Sequence, residues 1–304
     1  MTITIVGPEV EPRLNWIDLT EALRAGHALP RAEVADTFLY RRQDTLLTRS
    51  AWIDGLGLAV KAAAVFPGNP AHGVPSINGA VNLMSDTDGT LEAIVDFQIV
   101  TKWKTAGDSL LSARLLARPD ARRILIVGAG NVAHSMIDAY SSSFPGAEFT
   151  VWARNADSAR AFAEATGARV ASDLETAVRG AEVIATTTMS TVPLVKGEWL
   201  QPGTHLDLIG AYRPDMREAD NETFRRARIF VDSRNTTLDH IGEVMFPINE
   251  GAMRREDIIA DFYDLPSGAY ARRSDEEITV AKNGGGAHLD LMTARYVLDV
   301  ARRA

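Results

Sequence analysis

The chain has 304 residues, of which 46% are hydrophobic and 24% charged, and its net charge is −8. This composition is typical of a globular protein that is long enough for two domains. The negative charge argues against nucleic acid as a main partner, and no apolar run is long enough to cross a membrane. The absence of cysteine excludes disulfides and thiolate chemistry. The N-terminus lacks the pattern of a secretory signal, so we expect a cytoplasmic protein.

Residues 1–113 are predicted to form a smaller α+β domain. A helix is predicted over Trp16–Gly26, and the apolar runs that follow are short and separated by turn residues, which is typical of a largely antiparallel sheet. The predicted strands are Thr2–Val6, Thr45–Leu47, Leu56–Val65, Ala80–Met84 and Leu91–Phe97. The sequence Thr-Asp-Gly at 87–89 predicts a hairpin turn before the last strand.

Residues 114–286 alternate between strand and helix patterns, which predicts an α/β domain with a doubly wound parallel sheet of the Rossmann type. The predicted strands are Ile124–Val127, Phe149–Trp152, Val183–Thr187, His205–Ile209 and Ile229–Val231, and the predicted helices are Val132–Ser142, Ser158–Thr166, Leu174–Val178 and Asn221–Ala227. Asp157, Asp173 and Asp220 stand where helix N-caps are expected. The C-terminal segment 287–304, with an amphipathic helix over 287–303, is expected to complete the first domain.

A glycine-rich loop follows the first strand of the predicted Rossmann domain. Its residues are Gly128, Ala129, Gly130, Asn131, Val132 and Ala133. The first glycine permits a tight turn, the second lets the backbone approach a pyrophosphate, and the alanine allows close packing of helix on strand. The N-terminus of the following helix favours phosphate. The loop therefore predicts a dinucleotide site; the alternative is a glycine-rich turn without a ligand.

The end of the second strand of this domain indicates which dinucleotide is bound. Sites that prefer NAD usually have an acidic residue there, which accepts from the ribose 2′-hydroxyl. In this chain Arg154 and Asn155 occupy the position, and no acidic residue lies between Phe149 and Asp157. Because a guanidinium binds phosphate well, NADP(H) is favoured and NAD(H) remains an alternative. Arg154 could equally be a solvated loop residue.

Several separated motifs together resemble the ornithine cyclodeaminase/mu-crystallin family. They are VKAAAVFPGNPAHGVPS (60–76), TKWKTAGDSLLSARLLARPDAR (101–122), VGAGNVA (127–133), TTTMSTVP (186–193), IGAYRPDMRE (209–218), VDSR (231–234) and EITVAKNGGGAHLDL (277–291). The resemblance implies a homodimer in which each subunit has a Rossmann domain, while the other domain forms the dimer interface and much of the substrate site. It also implies one of several chemistries on small amino or imino acids.

Tyr212 separates these chemistries. Cyclodeaminases of the family carry an aspartate at this position of the motif 209–214, and a phenol cannot replace a carboxylate base at neutral pH. The motifs are most similar to the Δ1-pyrroline-2-carboxylate reductase branch. That resemblance implies NAD(P)H-dependent reduction of a cyclic α-imino acid to L-proline or L-pipecolate. Ornithine cyclodeamination and non-catalytic binding of NADPH or a small ligand are the alternatives, and an acyclic imine is a further possible substrate.

Three cationic residues are candidates for the substrate carboxylate. Lys61 aligns with a family active-site lysine and lies among apolar residues of a predicted strand, where an unpaired ammonium group is costly. We expect it to bind the carboxylate and to assist proton transfer, or else to extend to solvent from a half-buried strand. Lys104 replaces the arginine that is common in this family motif, and Thr105 follows it; an exposed lysine at a helix start is the alternative. Arg49 is the third candidate, and Arg41 and Arg42 compete for its role.

Two further segments are predicted to contact the cofactor. Thr187, Thr188 and Met189 follow a strand at the edge of the sheet where ligands bind, although they could simply pack as a loop. Lys282 and Asn283 precede three glycines that permit close approach to the nicotinamide, although this segment could instead be a hinge. Asp207 and Asp290 are secondary catalytic candidates. The six histidines form no metal-binding pattern, so no metal is expected, and His134 and His205 are expected to be structural or surface residues.

Overall fold

The computed structural model describes residues 2–303 and divides the chain into two compact units. The first unit comprises residues up to Lys104 together with Gly286 onwards, and the second comprises Thr105–Gly285. The division falls within a long helix, earlier than the predicted boundary after residue 113. Among residues 2–303 no helix is both long and apolar enough to span a membrane.

The first unit is built on a six-stranded sheet with the order β1-β6-β5-β4-β3-β2. Strand β1 pairs with β6 in parallel, and every other pair is antiparallel. The strands are β1 (Thr4–Val6), β2 (Glu33–Arg41), β3 (Asp44–Ile53), β4 (Gly57–Val65), β5 (Ile77–Met84) and β6 (Leu91–Asp96). The predicted antiparallel sheet is confirmed, but β2 was missed and β3 is longer than the predicted Thr45–Leu47.

Three helices belong wholly or partly to the first unit. They are α1 (Trp16–His27), the N-terminal part of α2 (Phe97–Leu116) and α9 (Ala287–Arg302). Helix α9 packs against α1 and against the sheet of the first unit. Burial alternates along β4, and Gly57, Ala59, Lys61 and Ala63 are buried on one face. Period-two alternation therefore places Lys61 inside the unit.

The second unit contains an eight-stranded, entirely parallel sheet with the order β13-β12-β14-β11-β10-β7-β8-β9. Its strands are β7 (Arg123–Val127), β8 (Glu148–Trp152), β9 (Arg169–Val170), β10 (Val183–Thr186), β11 (His205–Leu208), β12 (Arg228–Val231), β13 (Ile258–Ala260) and β14 (Thr279–Lys282). The strand order reverses between β7 and β10, which is where ligands bind in such sheets. The predicted Rossmann-type fold is confirmed.

Six further helices connect these strands. They are α3 (Asn131–Ser141), α4 (Ala156–Thr166), α5 (Leu174–Gly180), α6 (Asn221–Arg226), α7 (Arg234–Thr237) and α8 (Gly242–Asn249). Asp173 and Asp220 cap α5 and α6 as predicted. The prediction that Asp157 caps α4 is wrong, because the Asn155 side chain accepts the N–H groups of Asp157 and Ser158 instead.

Candidate active site

The glycine-rich loop joins β7 to α3 in the form that a dinucleotide site requires. Gly128 has a φ of +119°, which favours glycine, and a Cβ there would overlap the Thr187 hydroxyl oxygen. A Cβ at Gly130 would meet open space. Gly130 is the N-cap of α3, and no side chain caps this helix. The N-terminal N–H groups of α3 are therefore left for an anionic ligand such as a pyrophosphate, and the loop fits the predicted cofactor.

Of the two residues predicted to select the dinucleotide, one has a side chain that is free to bind a ligand and the other does not. Arg154 is exposed just beyond the carboxyl end of β8, and its guanidinium forms no hydrogen bond or ion pair within residues 2–303. Asn155 is also exposed, but its side-chain oxygen accepts from Asp157 N at 2.9 Å and Ser158 N at 3.2 Å. Arg154 is thus free to bind a ligand phosphate, whereas the side chain of Asn155 already caps α4.

A buried glutamate joins the loops that follow β10 and β11. One carboxylate oxygen of Glu218 accepts from Thr188 N at 2.6 Å and Thr188 Oγ1 at 2.7 Å. The other accepts from Thr186 Oγ1 at 2.8 Å, Gly210 N at 2.7 Å and Ala211 N at 3.3 Å. A Cβ at Gly210 would overlap the Thr188 carbonyl oxygen, so the two loops approach too closely for any larger residue. Sequence reasoning missed Glu218, which follows the motif residue Arg217 with no distinguishing pattern.

The predicted cofactor loop after β10 leaves one side chain exposed. The Thr187 hydroxyl donates to Val127 O at 3.2 Å, and the Thr188 hydroxyl is bound by Glu218. Both threonine hydroxyls therefore have their hydrogen committed to the protein and could only accept a hydrogen bond from a cofactor. Met189 is 70% exposed. Tyr212, in the following loop, is also exposed.

Lys282 was predicted to contact the cofactor, but in the structure it is the last residue of a buried strand. It is fully buried at the end of β14, and its ammonium group donates to Leu208 O at 2.9 Å. Burial lowers the pKa of Lys282, while Glu243, Glu218 and Asp232 act in the opposite direction. This side chain is not available to a cofactor in the structure, so a contact from Lys282 could involve only its backbone.

The segment after Lys282 is fixed by hydrogen bonds. The amide of Asn283 donates to Thr105 O at 3.1 Å and to Ser109 Oγ at 3.2 Å. Gly285 N donates to a carboxylate oxygen of Asp232 at 2.6 Å. These contacts hold the glycines in place, so the alternative of a free hinge receives no support from the geometry.

The first unit contains a buried cluster of two lysines and one aspartate. The Asp290 carboxylate, on α9, is 1% exposed and accepts through one oxygen from Lys61 Nζ at 3.0 Å and Lys104 Nζ at 2.8 Å. Lys61 Nζ also donates to Thr101 Oγ1 at 2.9 Å and lies 4.6 Å from the centre of the Phe97 ring. Lys61 and Lys104 are each 6% exposed, which contradicts the alternatives of a lysine reaching solvent and an exposed helix-start lysine.

The cluster has perturbed ionisation. Burial, followed by the charge of Lys104, lowers the pKa of Lys61 from 10.5 to about 8, although Asp290 opposes the shift. Burial alone would raise the pKa of Asp290, but the two lysines hold it below its usual value. Lys61 therefore changes charge near physiological pH, as groups that bind anions or transfer protons at active sites often do.

Arg49 lies next to this cluster, and its two competitors do not. Arg49 is paired with Lys61 across β3 and β4, so their side chains share one sheet face, and its guanidinium binds Asp36 at 2.9 Å. Arg41 and Arg42 are exposed at the tip of the β2–β3 hairpin, where Arg41 binds Asp44. Among the three arginines, the geometry favours Arg49 as a neighbour of the lysines.

The remaining candidates occupy structural positions. His205 is buried and its Nδ1 lies 2.9 Å from Thr279 Oγ1, while its Nε2 lies 3.2 Å from Asp207. The His134 ring packs against Phe162. Within residues 2–303, no group of three or more potential side-chain ligands is arranged to hold a metal ion.

Comparison with known proteins agrees with the geometry. The model of the ornithine cyclodeaminase/mu-crystallin family matches residues 49–304. The chain is 51% identical to a Δ1-pyrroline-2-carboxylate reductase from Paracoccus denitrificans, over 95% of this chain and 93% of the relative. It is 36% identical to the ketimine reductase mu-crystallin of Mus musculus, over 80% and 75% of the two chains.

Solved structures share the same fold over almost their whole length. Thermococcus litoralis Δ1-pyrroline-2-carboxylate reductase, in complex with NADH and L-proline, has a TM-score of 0.88 at 24% identity and covers 99% of this chain and 98% of its own. An archaeal alanine dehydrogenase dimer with bound NAD also has a TM-score of 0.88, at 28% identity, and covers 100% and 97%. The first of these likenesses concerns the fold alone.

Proposed function

Because the chain belongs to the ornithine cyclodeaminase/mu-crystallin family, we propose that it reduces a cyclic α-imino acid to the corresponding L-amino acid. It is an oxidoreductase that acts on a C=N bond with a nicotinamide cofactor. The five-membered substrate Δ1-pyrroline-2-carboxylate gives L-proline, and the six-membered Δ1-piperideine-2-carboxylate would give L-pipecolate.

One observation carries this proposal: two buried lysines share one carboxylate in a chain that is 51% identical to a named Δ1-pyrroline-2-carboxylate reductase. Buried ammonium groups are rare unless they are paired or have a ligand. One aspartate balances only one of the two lysines. A substrate carboxylate would balance the second, which suits an α-imino acid.

The lysines would act on the carboxylate end of the substrate. Lys61 and Lys104 bind and orient the carboxylate, with the Thr101 hydroxyl and Asp290 fixing the position of the Lys61 ammonium group. Reduction adds a hydride to the imine carbon, and the nitrogen of the product must carry a proton. The cofactor, when bound, supplies the hydride. Lys61, with a pKa of about 8, is the group best suited to exchange a proton with the substrate nitrogen near neutral pH.

The nicotinamide dinucleotide would be held by the glycine-rich loop. The backbone of Gly128, Ala129, Gly130, Asn131 and Val132 offers N–H groups to the pyrophosphate. Arg154 is exposed and has no hydrogen-bond or ion-pair partner among the described residues, so we propose that it binds a 2′-phosphate and that NADP(H) is preferred over NAD(H).

Tyr212 favours reduction over cyclodeamination. Ring closure with loss of ammonia needs a carboxylate base to manage protons, and this chain offers an exposed phenol at the position that the family's cyclodeaminases give to aspartate. Reduction has less need of that base, because the imine can arrive already protonated.

We also propose that the chain forms a homodimer through the first unit. All nine residues of the edge strand β2 are exposed. Leu39 and Tyr40 are 67% and 73% exposed, and Trp52 on β3 is 48% exposed. An apolar edge strand left open would promote aggregation, so a second copy of the chain is the natural cover. Leu39→Asp should yield a monomer by light scattering, while Ile5→Asp, on the opposite edge strand β1, should not.

An NADPH-oxidation screen tests the function. Five- and six-membered cyclic imino acids should consume NADPH, and pyruvate with ammonia or methylamine serves as the acyclic control. Lys61→Met should abolish turnover while leaving NADPH binding intact, and Lys102→Met, at a more exposed lysine of α2, should behave as wild type. Release of ammonia from ornithine with only catalytic NAD would instead identify a cyclodeaminase. Tight NADPH binding with no turnover of any substrate would identify a binding protein.

A further inference from the structure

Asp290 is the centre of the buried cluster, and the reaction proposed above uses it only to fix the position of the Lys61 ammonium group. It lies in the first turn of α9, and both lysines contact the same carboxylate oxygen. The second oxygen is buried and has no hydrogen-bond partner in residues 2–303. A carboxylate kept in such a place is costly unless its charge is needed.

The charges around Asp290 can be counted element by element. Lys61 comes from β4 and Lys104 from α2, and Asp290 offsets one of them. On β3, Arg49 is offset by its own partner Asp36. His288 on α9 is acted on by the charges of Lys104 and Asp290 and also by those of His27 on α1 and Arg31 in the loop after α1. Burial keeps the pKa of His288 well below its usual value, so it is neutral. Together the lysines and Asp290 leave one positive charge.

We propose that Asp290 is a positioning residue that also determines specificity: it holds the two lysine ammonium groups together and leaves only one positive charge, so that the site accepts a substrate with one carboxylate and discriminates against dicarboxylates. This inference rests on the proposed function, because it takes the lysines to be the carboxylate site. It restricts the substrate class to imino acids with a single acidic group.

Removing the charge of Asp290 should have two effects that a structural role would not have. Lys61 and Lys104 would face each other without an intervening anion, so Lys61 would lose its proton more easily, and the alkaline limb of the kcat/KM profile should move down by about one pH unit. At pH values where Lys61 is still protonated, the site would have lost the negative charge that offsets one of its lysines. A dicarboxylate should then gain about tenfold over a monocarboxylate, since one pKa unit corresponds to one order of magnitude in binding.

The experiment compares wild type with Asp290→Asn and uses Asp299→Asn, at an exposed position of the same helix, as the matched control. The pH profile is measured with Δ1-pyrroline-2-carboxylate. Binding of pyrrole-2-carboxylate and pyrrole-2,5-dicarboxylate is measured by calorimetry at about pH 6.5, where Lys61 is protonated. The inference is supported if Asp290→Asn moves the alkaline limb of the kcat/KM profile to lower pH and reduces the discrimination between the two pyrrole carboxylates. Asp299→Asn should show neither change. A loss of activity that is equal at every pH, with the alkaline limb and the ratio of the two binding affinities unchanged, would overturn it.

A second variant covers the case in which Asp290→Asn does not fold. Lys104→Gln removes a positive charge instead, so the alkaline limb should move to higher pH and the dicarboxylate should bind still more weakly; no movement of either would overturn the inference. If the proposed function is wrong, the wild-type protein reduces no imino acid, and this result is distinct from either outcome for the variants. The calorimetric ratio of the two pyrrole carboxylates would still decide whether Asp290 sets the charge of the site.

Discussion

Replacing Glu218 by Gln tests whether one buried carboxylate holds together the loops after β10 and β11. Glu218 is fully buried and accepts four hydrogen bonds from these loops and one from Thr186, the last residue of β10. Both loops follow strands at the carboxyl edge of the sheet, where a dinucleotide would bind. The variant keeps the shape of the side chain and removes its charge and one acceptor, so its effect can be calculated from the hydrogen bonds.

The glutamine oxygen can replace only one oxygen of Glu218. The less costly choice keeps the oxygen that binds Thr186, Gly210 and Ala211, because it serves two backbone donors. The amide NH2 then faces the N–H of Thr188, which loses its acceptor at a cost of about 1–3 kcal/mol. Loss of the charge also weakens the remaining bonds to about half their strength. A total of roughly 3–4 kcal/mol follows.

Thermal unfolding measures this loss. In a domain of this size each kcal/mol corresponds to about 2–4 °C, so the melting temperature should fall by roughly 10 °C. The KM for the cofactor should rise as well, because the loops are no longer fixed. Glu222→Gln, at a half-exposed side chain in α6, is the control and should change neither value. A Glu218→Gln protein that melts within about 2 °C of wild type would refute the reasoning.

Lys61, Arg154 and Glu243 each give one further prediction. The kcat/KM for the imino acid should fall as pH rises through about 8, where Lys61 loses its proton, and Lys61→Arg should move that fall to higher pH; coincident profiles would contradict the assignment. Arg154→Ser should raise the KM for NADPH by about tenfold or more and leave that for NADH unchanged, whereas equal effects on both would exclude a 2′-phosphate contact. Burial, and then the charge of Glu218, raises the pKa of Glu243 from 4.5 to about 7. The folded chain therefore keeps a proton that the unfolded chain releases, so stability contributed by this group is present below pH 4.5 and is lost as pH rises to about 7. Glu243→Gln should flatten the dependence of unfolding free energy on pH in that range, and an unchanged slope would contradict the assignment.

The dinucleotide loop could be predicted because it depends on local structure. A buried strand, two glycines and a helix start are neighbours in the sequence, and the structure reproduces them as β7, Gly128, Gly130 and α3. The N-cap of α4 was predicted wrongly. Asn155 and Asp157 are both good N-cap residues, two positions apart, so residue type alone does not show that Asn155 caps this helix.

Elements that depend on distant parts of the chain were missed. Strand β14 inserts between β11 and β12, although it follows both in the sequence. Its four residues carry a pattern too short to distinguish from a loop. Strand β2 is an exposed edge strand without the alternation that a half-buried strand shows. Apolar residues surround α2 on several sides, so no helical stripe marked it.

Two of the three buried lysines among the described residues, Lys61 and Lys282, show how far residue type alone can support a functional assignment. Lys61 lies within a strand-like apolar run and Lys282 ends one. From the sequence, Lys61 was assigned to the substrate and Lys282 to the cofactor. In the structure Lys282 is bound to a backbone carbonyl with Glu243, Glu218 and Asp232 nearby, so its charge is offset by the protein itself. Lys61 shares a single aspartate with a second lysine, so its cluster retains a positive charge. A buried lysine is therefore a candidate for substrate binding when its protein partners leave that charge uncompensated. The aspartate on the apolar face of the C-terminal helix was the sequence signal that could have led to this cluster, because a buried carboxylate requires a cation to pair with.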